Sequence, residues 1–167
     1  LTSALIRRLL ESPQPPRRVV LLVQKEGGAR VVSRPGEMSL LALSVQLYGE
    51  PRIEGRVPAG AFYPRPDVDS VVLRVDLHPA PKVRRDLIDP LFRLAKAAFG
   101  QRRKTLRNSL AGGLGLPASK VSELLERAGV SARVRAQEVS LPEWERLAEA
   151  ACYLGLSSQD SGRGDQI

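Results

Sequence analysis

The chain is short of the side chains that build redox, metal and hydrolytic centres. In 167 residues it has one cysteine, Cys152, and one histidine, His78. A lone cysteine excludes an internal disulfide and a cysteine-rich metal site, and it suits a reducing compartment. One histidine leaves little for a triad or a metal. No stretch approaches the roughly 18 consecutive apolar residues that mark a membrane span. No signal peptide is visible either: Leu1-Thr2-Ser3-Ala4-Leu5 leads directly into an amphipathic pattern, and the first residue is not Met. The most informative absence is local. From Pro90 to Ser122 there is no Asp or Glu.

That acid-free window holds Arg93, Lys96, Arg102, Arg103, Lys104, Arg107 and Lys120, in a chain whose net charge is +8. A merely solvated helix face usually mixes signs to gain i,i+4 pairs. A cationic block without counter-charges instead fits a phosphate backbone, with an anionic membrane surface as the second option. The spacing predicts an amphipathic helix over about 86–110, bent at Gly100. Arg93, Lys96, Arg103 and Arg107 share one face, and Leu87, Ile88, Leu91, Ala95, Ala98, Phe99 and Leu106 lie mostly on the other.

A hydrophobic content of 43% is that of a globular chain, and the length allows one domain or two small ones. Thr2 or Ser3 caps an expected first helix through Leu5, Ile6, Leu9 and Leu10. The run Val19–Val23 reads as a strand buried on both faces of a parallel sheet, with an edge left uncovered and marginal solubility as the consequence. A helix over 24–33 follows, weakened by Gly27-Gly28 and broken at Arg34-Pro35-Gly36. Ser39 caps the next, through Leu40, Leu43, Leu47 and Tyr48. Strands are expected at 51–57 and 68–77, the second with Val71, Leu73, Val75 and Leu77 on one face.

Beyond Pro79 and Pro81 everything reads as helix, including 118–128 ending at Gly129 and 141–153 opened by the capping box Ser140-Leu141-Pro142-Glu143. Gly112-Gly113-Leu114-Gly115 follows no strand and reads as a helix terminator rather than a nucleotide fingerprint. Trp144 is expected to pack the last helix, and His78 to be a linker residue. The expected organisation is therefore an α/β part over 1–78, a helical part over 79–154 and a disordered tail over 155–167.

One loop stands out. In Ala61-Phe62-Tyr63-Pro64-Arg65-Pro66-Asp67-Val68-Asp69-Ser70, two alternating prolines stiffen the backbone just before a strand. A stiff loop can hold Phe62 or Tyr63 where a nucleobase stacks, although Phe62 could equally plug the core.

These segments together resemble the ribosomal RNA adenine dimethyltransferases. The resemblance rests on Val23-Gln24-Lys25-Glu26 with Ala29-Arg30 and Pro35-Gly36, on Leu43–Tyr48, on Phe62–Val72, and most strongly on Phe99-Gly100-Gln101-Arg102-Arg103-Lys104-Thr105-Leu106-Arg107-Asn108-Ser109-Leu110. Arg135–Leu141 adds a closing segment, so about residues 1–150 are covered. Gly27-Gly28 departs from the larger residues usual in the family, and so does the short loop Glu37-Met38-Ser39.

The resemblance implies an α/β fold, the carboxyl-terminal part of a Rossmann-like class I methyltransferase domain followed by a small all-α domain. It implies S-adenosyl-L-methionine-dependent dimethylation of two adjacent adenines in small-subunit rRNA, in the cytoplasm, on a pre-30S ribosomal partner, by a monomer without a membrane role. The family's glycine-rich cofactor loop and its Asn-Leu-Pro-Tyr motif are not in this sequence, and Leu1–Glu11 looks like the segment that follows that motif. The chain alone is therefore expected to be a carboxyl half with no catalytic residue, no S-adenosyl-L-methionine binding and no activity of its own. Phe62 and Pro64 match the family's base-stacking positions. Arg93, Lys96, Gln101, Arg102, Arg103, Lys104, Arg107 and Asn108 fit rRNA contacts. The alternatives are a large-subunit methyltransferase on the same fold and a non-enzymatic rRNA-binding or ribosome-assembly module.

Overall fold

A computed structural model of the chain describes Leu9 and residues 12–156. The described chain divides into two compact units. The first reaches Arg84 and also takes in Ala136–Leu141, and the second holds Arg85–Arg135 and the chain from Pro142 onward.

The first unit is built from β1 (Arg18–Gln24), α1 (Lys25–Val31), α2 (Leu40–Tyr48), β2 (Gly49–Val57) and β3 (Ser70–Leu77). The sheet order is β1-β3-β2, and both outer strands run antiparallel to β3. Val19, Leu21 and Val23 lie opposite Val75, Leu73 and Val71. Val19, Val23, Val71, Leu73 and Val75 are buried with Val31 and Val45 of the helices, and Leu9 packs on the same cluster.

The reading of 19–23 as a parallel strand buried on both faces is corrected here. Its partner is antiparallel, and the alternate residues Val20 and Leu22 remain 56% and 53% exposed. Branched residues in an unbroken run satisfy a one-faced strand as well as a two-faced one, so the pattern could not separate the two. On the open face, two charge pairs cross the strands, Arg18 Nε to Asp76 at 2.5 Å and Arg74 Nη1 to Glu54 at 3.3 Å, and Arg74 Nη2 bonds Asp76 along β3 at 2.8 Å.

Local sequence explains the helices of this unit. Ser39 Oγ accepts from the Ala42 N–H at 3.1 Å and starts α2. Gln46 of α2 donates through Nε2 to the Val31 and Ser33 carbonyls at the end of α1, at 3.0 and 2.8 Å. Gly28 is buried, and a Cβ there would stand 2.4 Å from Val71 Cγ2, so α1 lies directly on β3. The loop after α1 is tied down from far along the chain, because the Gly36 and Met38 N–H groups both donate to the Gln137 carbonyl, at 2.8 and 3.1 Å.

The second unit contains α3 (Arg85–Phe99), α4 (Leu106–Leu114), α5 (Ala118–Ala128) and, from Pro142, most of α6 (Leu141–Tyr153). Trp144 is fully buried, with its ring 6.0 Å from that of Phe99, and Leu91, Leu106, Leu110, Leu124 and Leu147 of the same unit are fully buried too. The helix expected over 86–110 is two helices, and this too is a correction. The N–H groups of Gly100 and Gln101 close tight turns on Lys96 and Ala98, and the chain re-enters helix at Leu106. No breaker stronger than Gly100 marks the spot. What ends the helix is tertiary: Leu106 and Arg107 donate to the carbonyls of Val134 and Ala132, at 2.6 and 3.4 Å.

Gly112-Gly113-Leu114-Gly115 is also not simply a terminator. Gly115 ends α4 at φ 65°, but Gly112 and Gly113 lie inside the helix. A Cβ at Gly113 would stand 2.6 Å from the Ala97 carbonyl oxygen and 2.8 Å from its Cα, so α3 and α4 approach almost backbone to backbone. The expected first helix, Leu9 aside, and the tail from residue 157 onward lie outside the described residues.

Candidate nucleic-acid interface

The structure sorts the cations of the second unit into those already engaged within the protein and those left over. Arg93 is half-buried and donates through Nη1 to the Leu156 carbonyl at 2.8 Å. Arg107 Nε bonds Ser122 Oγ at 3.0 Å, joining α4 to α5. Lys120 pairs with Glu123 at 3.3 Å, Arg127 lies 3.3 Å over the Tyr153 ring, and Arg146 Nε bonds the Ala128 carbonyl at 2.9 Å. Arg85, Lys96 and Arg133 are exposed and form no ion pair with another described residue, but they are scattered along the chain. Arg102, Arg103 and Lys104 are in the same state and are consecutive.

These three occupy the turn between α3 and α4, with the Lys104 N–H bonded to the Gln101 carbonyl at 2.9 Å. The turn is held from below by Leu106, whose side chain is fully buried and whose N–H is bonded to Val134. The first two N–H groups of α4 are thereby occupied, so an anion at this helix end would be held by side chains rather than by free backbone donors. Gln101 faces inward: its side-chain nitrogen lies 2.7 Å from where a Gly112 Cβ would be, and its Oε1 is buried without a hydrogen-bond partner. Asn108 is exposed on α4. Lys96, also exposed, borders a hollow of about 550 Å³ with Asp89, Phe92, Arg93, Ala97, Gly113 and Leu114.

The eight residues expected to contact RNA therefore stand on three elements, in different states of engagement, and the four expected on one face, Arg93, Lys96, Arg103 and Arg107, are divided among α3, the turn and α4. Nothing in the sequence separates them, because Arg107 meets Ser122 only when α4 and α5 pack, and Gln101 lies over Gly112 only once the turn has formed.

The aromatic loop belongs to the first unit. Ala59–Ala61 forms a 3₁₀ turn that ends on Phe62, whose N–H bonds the Ala59 carbonyl at 3.3 Å. Phe62 is half-buried, Pro64 is exposed, and the Tyr63–Pro64 peptide is cis. Tyr63 stands wholly in solvent, at 102% relative exposure. Asp69 closes the loop. Its Oδ1 accepts from the Ala59 N–H at 2.9 Å, and its Oδ2 accepts from Arg56 through Nε, at 3.0 Å, and through Nη2. Its own carbonyl accepts from the Lys25 N–H at 3.0 Å. The Arg56 bond first, and the Ala59 N–H second, hold the Asp69 carboxyl below the usual carboxylate range. Sequence reasoning passed over Asp69 and Arg56 because neither is unusual alone; they meet only when β2 and β3 pair.

Among the described residues no three His, Cys, Asp or Glu side chains gather to hold a metal ion, and no helix is long and apolar enough to cross a membrane. Neither glycine pair offers a cradle for a nucleoside cofactor. Gly27 and Gly28 lie within α1 with Gly28 against Val71, and Gly113 is filled by the Ala97 backbone.

A family model described as ribosomal RNA adenine dimethylase matches residues 1–151. The ribosomal RNA small subunit methyltransferase A of Dehalococcoides mccartyi strain 195 is 44% identical over 147 residues, which cover 88% of this chain and 50% of that protein. The protein of the same name from Desulfitobacterium hafniense strain DCB-2 is 41% identical over 152 residues, covering 90% and 54%. The chain thus spans about half the length of the curated relatives it matches. Among solved structures, a dimethyladenosine transferase from Plasmodium falciparum superposes with a TM-score of 0.79 at 21% identity, over 92% of this chain and 64% of that one. The 23S rRNA methyltransferase ErmE gives 0.63 at 24%, over 89% and 60%. These two likenesses are of fold.

Proposed function

The chain belongs to the ribosomal RNA adenine dimethylase family, and we propose that the protein it represents dimethylates two adjacent adenines of small-subunit rRNA, using S-adenosyl-L-methionine, in the cytoplasm during assembly of the small ribosomal subunit. In this reading the described residues form the carboxyl-terminal part of a Rossmann-like methyltransferase domain and a helical RNA-binding domain, and the protein works as a monomer. The described residues do not fit S-adenosyl-L-methionine. Its site and the motif that holds the reacting adenine are proposed to lie in the part of the relatives' length that this chain does not span.

The observation that carries the reading is the run of three consecutive unpaired cations, Arg102, Arg103 and Lys104, on a turn flanked by Arg93 and Arg107, which are engaged within the protein. Three free cations on a braced turn, without a carboxylate partner, suit a phosphate backbone, because binding there displaces counterions rather than internal ion pairs. Lys96 and Asn108 extend the footprint. Arg93 and Arg107 act from behind it, through their bonds to the Leu156 carbonyl and Ser122 Oγ, while Gln101 fills the space over Gly112. Phe62, with Pro64 beside it, supplies the stacking surface for the target base, so that the reacting nitrogen is oriented by the ring and the flanking RNA by the turn.

The test is an RNA titration of the 167-residue chain against a small-subunit rRNA 3′ hairpin at several salt concentrations. Substituting Arg102→Gln, Arg103→Gln and Lys104→Gln together should weaken binding and lower the slope of log affinity against log salt by about 0.9 for each phosphate contact removed. An unchanged slope would overturn the assignment.

A further inference from the structure

We propose that Asp69 is the positioning residue of the aromatic loop, fixing Phe62 through a relay of two hydrogen bonds. This rests on the reading of Phe62 as the stacking surface. The relay runs from the Asp69 Oδ1 to the Ala59 N–H, at 2.9 Å, and from the Ala59 carbonyl to the Phe62 N–H, at 3.3 Å. Ala59 opens the 3₁₀ turn and Phe62 closes it. Asp69 therefore caps the turn across the loop, a task that usually falls to a side chain just before the turn. Pro58, which occupies that preceding position, makes no side-chain cap bond.

Asp69 is itself held from three sides. The Lys25 N–H, at the junction of β1 and α1, bonds its carbonyl; Arg56, near the end of β2, bonds its other carboxylate oxygen; and Ser70 begins β3. Asp69 thus refers the loop to all three strands, to β2 through its carboxylate and to the β1–α1 junction and β3 through its main chain. Phe62 needs such a reference. From Tyr63 to Val68 no backbone hydrogen bond ties the loop to another described residue, and Tyr63 and Val68 are exposed. A ring that stacks on a base only when the loop happens to place it would bind more weakly, because the loop's ordering would be charged against binding.

Three variants separate the relay from general loss of structure. Asp69→Ala removes the acceptor, Asp69→Asn keeps an acceptor oxygen for Ala59 while losing the charge that pairs with Arg56, and Ala59→Pro removes the donor alone. Proline is compatible there, since Pro58 has an extended backbone with ψ 150° and the position is the first of its turn. Two readouts are made on the 167-residue chain. The first is amide hydrogen exchange at Phe62, with Val71 and Val75 of the sheet as internal references. The second is the affinity for a single-stranded RNA hexamer carrying two adjacent 2-aminopurines, measured for each variant with and without Phe62→Ala.

Protection at Phe62 should fall about tenfold in Asp69→Ala and Ala59→Pro, and less than about twofold in Asp69→Asn, with the sheet references unchanged. Oligonucleotide affinity should fall about fivefold in the first two variants and recover most of that in Asp69→Asn. Neither substitution should weaken binding further once Phe62 is alanine. Unchanged protection at Phe62 in both Asp69→Ala and Ala59→Pro overturns the relay. So does an affinity loss that persists in full beside Phe62→Ala, which is the mark of a general structural defect. If Phe62→Ala alone binds like the unaltered chain, the stacking reading fails, whatever the exchange data say of the relay. Should Asp69→Ala lose the sheet, Ala59→Pro decides.

Discussion

Gly112 and Gly113 are adjacent in α4, and replacing each with alanine should move stability in opposite directions. In an exposed helix interior the glycine-to-alanine change is worth about 1 kcal/mol of stabilisation by propensity alone, and both sites draw on that gain equally. They differ in what the new methyl meets. At 113 it would stand 2.6 Å from the Ala97 carbonyl oxygen and 2.8 Å from the Ala97 Cα and Cβ, all fixed within α3. Ordinary contact is nearer 3.5–4.0 Å, so α4 would have to withdraw by roughly 1 Å. That movement would loosen Leu106 and Leu110, which are fully buried on the same helix. Overpacking of this kind costs about 1–3 kcal/mol, and against a backbone the upper part of the range applies, which leaves Gly113→Ala destabilised by about 1–2 kcal/mol.

At 112 the nearest atom is the Gln101 amide nitrogen, at 2.7 Å, the free end of a flexible side chain. Gln101 can swing outward, and doing so releases an Oε1 that is buried without a partner. Gly112→Ala should therefore be neutral or stabilised by up to about 1 kcal/mol. Trp144, the single tryptophan, is buried in the same unit and reports its unfolding by fluorescence. In a thermal scan a change of 1 kcal/mol should appear as about 2–4 °C in Tm. Equal shifts of the same sign would refute the argument, because propensity alone would then account for both.

Three further outcomes are expected. Ser39→Ala removes the oxygen that caps α2 and should cost about 1 kcal/mol in urea unfolding, whereas Ser39→Asp should restore most of it; no loss would mean the cap bond contributes nothing net. Phe62→Ala should weaken binding of a 2-aminopurine oligonucleotide by about 1–3 kcal/mol while leaving the thermal midpoint nearly unchanged, and a fall in midpoint without loss of binding would make Phe62 a core residue instead. Acid should act chiefly on the first unit. Asp69 is held low by Arg56 and then by the Ala59 N–H, and Asp76 by Arg18 and then by Arg74. A depressed carboxylate contributes stability above the unfolded value of about 3.9 and loses it as pH falls through the folded value, so urea midpoints should drop on going from pH 6 to pH 3. In an Asp69→Asn, Asp76→Asn double variant that drop should shrink, and an equal drop would show that other groups set the acid limit.

Much of this was legible in the sequence, for physical reasons that can be named. Val71, Leu73 and Val75 alternate because β3 packs one face only, and period-2 patterning reports one-faced burial directly. Ser39 and Gly129 mark helix ends by local chemistry, one with an acceptor oxygen and the other with a positive φ of 63°. What failed to show was whatever long-range pairing decides. The direction of β1 follows from its partner β3, some fifty residues on, and the break after Phe99 follows from carbonyls at Ala132 and Val134. The acid-free window identified the right stretch of chain as cationic. It could not show that Arg93 would be taken by Leu156 and Arg107 by Ser122, since one partner lies past the end of α6 and the other on α5.

The return of Ala136–Leu141 to the first unit gives the chain the topology of a closed loop. The Gly36 and Met38 N–H groups both depend on the Gln137 carbonyl, and Val139, like Met38, is 1% exposed. Everything from Arg85 to Arg135 is therefore the span that must close before the first unit is whole. For a disordered span of about fifty residues, closure costs roughly 3–4 kcal/mol of chain entropy. A folded second unit confines the two strands of chain that enter and leave it, and most of that cost disappears. The helices thus lower the entropic barrier to completing the sheet unit through the chain alone. Cutting the chain between the two, at residue 84, would not yield the first unit intact; it would leave two N–H groups without their acceptor and remove a buried valine.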